Sequence, residues 1–206
     1  MTARSSRWTR CPAGVEESAA SDAAGVTPSD HKRWLLVGCG GAGKSTLALE
    51  MAQLLGIPII HLDRHYWKVG WVETGKQEWA EKVAALIAQD EWMMDGNYGG
   101  TLTLRLTRAH AVVLLDLPVW QCVWGIFRRA LFERGQRPDI ADGCDEELPD
   151  RTFLWYVLTY MWRARSRLLA KVAAAPQVSF IRLTSRRAVD EFVEELRIGR
   201  LTANGA

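Results

Sequence analysis

Four cysteines stand in a chain of 206 residues, and no two of them form a C-x-x-C pair. Cys11, Cys39, Cys122 and Cys144 thus suggest neither a zinc site nor a disulfide framework, and a reducing cytoplasm suits them. Long hydrophobic runs are missing too. The richest, Phe153 to Trp162, is well short of the ~18 apolar residues that cross a bilayer, and arginines follow it. Charge of one sign is scarce: 26 basic against 24 acidic residues leave +2, too little to argue for nucleic acid. No helix-turn-helix, zinc finger or other DNA-reading module is visible. Hydrophobic residues at 48% and charged residues at 24% exclude wholesale disorder and fit one globular domain with a real core.

Regular periodicity is absent from residues 1–31, where Ser, Ala, Gly and Thr dominate and Pro12 and Pro28 interrupt. Arg4, Arg7 and Arg10 occur there without a nearby acid, but no apolar segment of a targeting signal accompanies them. The stretch reads as an untargeted flexible extension, and the protein as cytoplasmic.

One stretch departs from this ordinary background. Leu35 to Val37 is a short apolar run, and Gly38-Cys39-Gly40-Gly41-Ala42-Gly43-Lys44-Ser45-Thr46 follows, leading into a helix-compatible segment. G-x-x-x-x-G-K-S between a strand and a helix is a phosphate-binding loop. At average residue frequencies a random chain this long carries the pattern about one time in a hundred. The glycines let the backbone curl so that successive N–H groups face one anion at a helix N-terminus. Lys44 would reach the β- and γ-phosphates, and the Ser45 hydroxyl would ligate Mg²⁺. The expected ATP-binding set is Gly38, Gly40, Gly41, Ala42, Gly43, Lys44, Ser45 and Thr46.

From Arg33 onward the pattern alternates. Strands are expected at Leu35–Val37, Ile57–Asp63, Trp92–Asp95, Ala111–Leu117 and Val178–Leu183. Helices are expected at Lys44–Leu55 (stopped by Gly56), Lys76–Gln89, Thr101–Thr107, from Val119 to about Arg134, and from Arg151 to about Ala174. A last helix, capped by Ser185, runs to about Ile198. In the helix from Val119 the apolar stripe is Val119, Val123, Phe127 and Ala130. Alternating strands and helices imply right-handed crossovers and a parallel sheet, whose ligands bind beyond the carboxyl ends of the strands. The Thr184–Ser185 turn, Asp63, Asp95 and Asp116 join the phosphate loop there.

A magnesium nucleotide needs a second acid behind the loop. Asp116 closes Ala-Val-Val-Leu-Leu and Asp95 closes Trp-Met-Met, and the bare pattern leans to Asp116. Arginines flank a Gly-, Pro- and Asp-rich insertion: Arg128, Arg129, Arg134 and Arg137 before it, then Arg151, Arg163, Arg165 and Arg167. That arrangement suits a phosphoryl-transfer lid, which neutralises the moving phosphoryl and excludes water. Arg163 and Arg167 project side by side, while Arg165 projects from the other side of the apolar stripe. Asp63 is placed to orient or deprotonate an acceptor hydroxyl, with Tyr66, Trp67 and Trp71 as pocket walls.

Together the motifs Gly38 to Thr46, His61-Leu-Asp with Trp67 and Gly70-Trp71, Asp95-Gly-Asn-Tyr98, Leu115-Asp-Leu-Pro118 and Arg137-Pro-Asp resemble one family. These are the bacterial DNA topology modulation proteins, which are adenylate-kinase-like P-loop proteins. The likeness spans about Trp34 to Ile198. It implies an α/β fold with a five-stranded parallel sheet of order 2-3-1-4-5, helices on both faces and a short lid. It implies that Asp95, with Ser45, serves Mg²⁺. It also makes Arg128 a lid arginine, joined by Arg151 and by Arg163 or Arg167. Asn97-Tyr98-Gly99 stands where adenylate kinase has Phe-Pro-Arg after Asp-Gly, so the phosphate-gripping arginine is missing there: either Arg105 substitutes for it or the acceptor is not a nucleoside monophosphate.

The resulting expectation is a small-molecule kinase of nucleoside-monophosphate-kinase type that uses ATP and Mg²⁺, with Lys44, Asp63, Arg128, Arg151, Arg163 and Arg167 as its catalytic set. Its acceptor is unidentified. The alternatives are an ATP-dependent regulator touching DNA, and an ATPase without a small acceptor. Residues 32–200 would form the kinase-like domain, with a lid at about 134–151 and a second tail at 201–206.

Overall fold

The strand that starts the phosphate loop decides the architecture. Trp34, Leu35, Leu36 and Val37 are four consecutive apolar residues, so both faces of their strand must be covered. A computed structural model describes residues 31–132, 155, 157–160 and 163–204, and all four side chains are fully buried in it. Strand β1 (Arg33–Gly38) pairs in parallel with β5 (Trp92–Asp95) on one side and β6 (Ala111–Leu115) on the other. Strands β2 (Ile59–His61) and β7 (Ser179–Leu183) form the edges, giving the order β2-β5-β1-β6-β7. Counted along this sheet alone, that is the expected order 2-3-1-4-5. The expected lid at about 134–151, its Arg134, Arg137 and Arg151, the tail at 1–30, and Cys11 and Cys144 lie outside the described residues.

Two layers of helices close the sheet. On one face Trp34, Leu36, Met93, Val113 and Leu115 pack with α1 (Lys44–Leu55), α5 (Val119–Phe132) and α7 (Arg186–Asn204). The other face carries Leu35, Val37, Met94, Val112 and Leu114 under α3 (Lys76–Ile87), α4 (Gly99–Leu106) and α6 (Arg165–Ala173). The helix ends follow local chemistry. Gly56 stops α1 in the left-handed conformation, donating its N–H to Ala52 O, and Ser185 Oγ accepts from the Ala188 N–H as the cap of α7. That last helix continues past the expected end near Ile198 to Asn204. Among the described residues, no helix is long and apolar enough to cross a membrane.

Three expectations are corrected. Strand β2 is shorter than Ile57–Asp63, because its only sheet neighbour, β5, ends at Asp95 opposite His61 and offers no ladder beyond. The chain turns instead into helix α2 (Leu62–Tyr66) and an antiparallel hairpin of β3 (Trp67–Lys68) and β4 (Val72–Glu73). Second, α6 begins at Arg165; residues 157–160 before it are helical, with a turn at Ala164.

The third correction concerns α5, which does not bury the expected stripe. Cys122 and Ile126 are buried, while Phe127, Trp124 and Trp120 are 45%, 67% and 70% exposed. The inward face is displaced from that stripe toward Cys122 and Ile126, where Gly125 brings the two backbones together. A Cβ at that position would stand 2.3 Å from the Gly41 carbonyl oxygen, and one on Gly41 would stand 2.1 Å from the Cys122 carbonyl oxygen. Backbone meets backbone, and α5 lies directly against the phosphate loop.

Gly125→Ala is therefore expected to destabilise the fold by about 1–3 kcal/mol through overpacking. Gly100→Ala, whose Cβ would meet nothing within 4 Å at an exposed position of α4, should stabilise by about 0.5–1 kcal/mol. Urea unfolding midpoints check both, and the two substitutions should move them in opposite directions.

Candidate functional site

Phosphate-loop geometry follows from its glycines. Gly38, Gly41 and Gly43 have φ of 149°, 76° and 89°, and Gly43 caps the N-terminus of α1. The loop thus ends on a helix whose first N–H groups face outward, the setting that binds anions. Lys44 Nζ bends back and donates to the Cys39 carbonyl at 3.0 Å, spanning the loop it would serve. Two residues outside the motif hold it in shape. The Asn97 amide accepts from Gly38 N–H at 2.9 Å and donates to Gly38 O at 2.7 Å, and Arg186 donates to Ala42 O at 2.9 Å. Sequence reasoning missed both; only the position of Arg186 after the Thr184–Ser185 turn could have flagged it.

The two competing acids have different surroundings. Asp116 is saturated: Arg165 donates to both its oxygens at 2.7 and 2.8 Å, and Arg182 Nε donates to Oδ2 at 2.6 Å. Burial pushes its carboxyl up, but the hydrogen bonds from the two guanidiniums outweigh that and hold it below the usual range. Asp95 sits beside the first residues of the loop, because β5 pairs with β1 and Asp95 is opposite Leu36. Its Oδ2 lies 3.3 Å from His61 Nδ1, and its buried Oδ1 has no hydrogen-bond partner. A buried carboxylate oxygen left open beside a phosphate loop fits the Mg²⁺ that this kind of loop implies. Among the described residues no group of three His, Cys, Asp or Glu side chains could hold a metal alone, so nucleotide oxygens and water would have to complete the shell.

Past Asp95 the chain makes a turn that serves three partners. Asn97 faces the phosphate loop, as described, and the Tyr98 hydroxyl donates to Asp63 Oδ1. Asp63 lies on α2, not at a strand end. Burial and then the Asp63 charge raise the Tyr98 phenol well above its ordinary value, so it stays a donor. Tyr98 also stacks at 4.7 Å on Tyr66 and 5.0 Å on Trp79, and Tyr66 continues through Trp67 to Trp71. Tyr66, Trp67 and Trp71, expected as pocket walls, thus form one aromatic cluster with the Asp63–Tyr98 pair.

Arg105 is not a phosphate gripper. It is fully buried, and its guanidinium donates to the carbonyls of Gly96 and Tyr98, each at 3.1 Å, and of Asn97. Burial lowers it to about 9, so it is charged at neutral pH.

The remaining arginines divide. Arg128 on α5 and Arg163 and Arg167 around the start of α6 are exposed, whereas Arg165 turns inward to Asp116. Arg165 and Arg182 are thus structural partners of an acid rather than candidates for a substrate.

No protein-family model matches the chain, and no curated protein is significantly similar. Solved structures are. Shikimate kinase from Bacteroides thetaiotaomicron is 20% identical, with 82% of this chain and 97% of that one covered and a TM-score of 0.52. Shikimate kinase from Acinetobacter baumannii, bound to shikimate, is 18% identical over 84% and 94%, with a TM-score of 0.51. The likeness establishes the fold, a P-loop α/β fold of the shikimate-kinase kind. The resemblance to DNA topology modulation proteins rests on the sequence motifs alone.

The fates of the two acids separate by experiment. Asp116→Asn strands two guanidiniums and is expected to cost about 3 kcal/mol of stability. A carboxyl lowered on folding contributes stability above its unfolded value, near 3.8, and loses it as pH falls through the lower folded value. Asp116→Asn should flatten the stability profile below about pH 4, as read by thermal unfolding across pH. Asp95→Asn should leave that acid limb in place.

Proposed function

We propose that the protein is an ATP-dependent phosphotransferase that moves the γ-phosphoryl group of ATP to a hydroxyl of a small acceptor. One observation carries the reading: the open, buried carboxylate of Asp95 stands at the strand end beside a phosphate loop of the right curvature. The shikimate-bound neighbour, of the same fold, supports a small hydroxylated acceptor in place of a macromolecule.

Roles follow from position and chemistry. The N–H groups from Gly40 to Thr46 would cradle the phosphates, with Gly38 and Ala42 held in place by Asn97 and Arg186. Lys44 would leave the Cys39 carbonyl for the β- and γ-phosphates, a short move for a flexible cation. Asp95 and Ser45 would hold Mg²⁺, which when bound neutralises charge on the phosphate oxygens. Asp63, held by Tyr98, would accept the proton of the acceptor hydroxyl as its oxygen bonds to the γ-phosphorus and the bond to the bridging oxygen breaks, releasing ADP. The aromatic cluster would exclude water behind it. Arg128, with Arg151 and either Arg163 or Arg167, would reach the transferred phosphoryl. No observation favours the DNA-binding alternative.

Purified protein given γ-labelled ATP, Mg²⁺ and pools of small alcohols, sugars and nucleosides should label at least one pool. Lys44→Ala should abolish that transfer and weaken ATP binding at least tenfold while leaving the unfolding midpoint within error; unchanged binding would remove the basis of the proposal. Arg128→Lys keeps charge but loses the forked donors, so turnover should fall at least tenfold with ATP affinity nearly constant. A DNA-binding arginine would behave otherwise, with affinity that lysine largely restores and that falls steeply with salt.

A further inference from the structure

The turn from Gly96 to Tyr98 is built in an unusual way. Gly96 has φ of 139° and Tyr98 has φ of 33°, so two of three residues lie in the left-handed region, one of them an aromatic. Such a residue costs on the order of 1 kcal/mol unless its surroundings over-determine it. Here the conformation turns three successive carbonyls to one side, where the guanidinium of Arg105 takes all three. A buried charge is costly to strip of water, and among the described residues no carboxylate pairs with this one. An apolar side chain would fill that space on α4 without the penalty. The charge is explained by the carbonyls.

What those carbonyls belong to gives the cation its meaning. On one side of the turn is Asp95, with its open oxygen. Within it Asn97 grips Gly38, the first residue of the phosphate loop. At its end Tyr98 bonds Asp63 and stacks on Tyr66 and Trp79. Metal acid, phosphate loop and acceptor-side acid thus meet one three-residue turn, and one side chain sets that turn's backbone.

We propose that Arg105 is a positioning residue of the site: its planar fork fixes the Gly96–Tyr98 backbone and thereby the aim of Asp95, Asn97 and Tyr98. The proposal rests on the phosphotransferase reading only for what Asp95 and Tyr98 are aimed at; the aiming itself does not. Lysine at this position keeps the charge but offers a compact ammonium in place of a planar fork whose two terminal nitrogens reach separate carbonyls. Arg105→Met keeps apolar packing and removes every donor.

The test uses the full chain with R105K and R105M. Far-UV circular dichroism and cooperative unfolding establish the fold. The near-UV spectrum reads the Tyr66–Trp79–Tyr98 cluster, and calorimetry reads ATP affinity in EDTA and then the affinity of the ATP complex for Mg²⁺. In R105K the fold should persist, the near-UV bands should fall to under half, metal-free ATP affinity should stay within about threefold, and Mg²⁺ should bind at least tenfold more weakly. R105M should show the same direction, larger. Wild-type near-UV bands in both folded variants would overturn the proposal. So would an R105K that cannot fold, or a loss of metal-free ATP affinity equal to the loss with Mg²⁺, since either means a general structural role. Should the wild-type chain bind no ATP, the phosphotransferase reading fails instead, and the near-UV bands alone decide the role of Arg105.

Discussion

Parallel pairing of β1 with β5 is the constraint on which the site depends. Its register sets Leu36 opposite Asp95, so both strands end at nearly the same level and both loops leave from the same edge of the sheet. A parallel neighbour, unlike a hairpin partner, must come from a distant part of the chain through a crossover. That is why the acid beside the phosphate loop follows it by about fifty residues. The next pairing, β2 with β5, ends where His61 meets Asp95, and brings Asp63 to the same edge two residues later. Three strand ends, each explained by burial of its apolar residues, thus place three chemistries side by side.

The two acids that close strands show how surroundings outrank residue type. Asp95 and Asp116 are both buried and both follow apolar runs. One meets a single imidazole and keeps an oxygen open; the other is claimed by guanidiniums from α6 and β7. An acid compensated on both oxygens has little left to offer a cation, whereas an undercompensated one is costly to bury and profits from a bound metal. The contrast also explains the arginines. One of the three expected to flank the start of α6 is spent on holding that helix to the sheet, and the two exposed neighbours are left to face solvent.

Much of this was legible in the order of residues. The phosphate loop, the presence of the five sheet strands, the stop of α1 and the start of α7 follow from local signals: glycines, a serine cap and apolar runs of the right length. That Asp116 is claimed by two guanidiniums while Asp95 keeps an oxygen unbonded was not readable from the pattern, because it depends on which strands are neighbours and on partners 49 and 66 residues away from Asp116. The place of Arg105 was hidden for a related reason: an arginine in a short helix of otherwise uncharged residues gives no local sign that carbonyls of the preceding turn surround it. Helix α5 differs for another reason: which part of its wide apolar arc turns inward goes with the backbone contact between Gly125 and Gly41, which no local pattern writes.

The clamp between Asn97 and Gly38 spans 59 residues. The phosphate-loop motif is fully written by Thr46, yet its first glycine is held only once α1, β2, the hairpin, α3 and β5 have been made and docked. Loop closure of that length comes before the contacts that reward it, so the local contacts of the helices can form early and the strand pairing late. A nascent chain emerging from the ribosome would therefore carry the motif long before it carries a binding site. Synthesis would reach the middle of the protein before any nucleotide could help stabilise it.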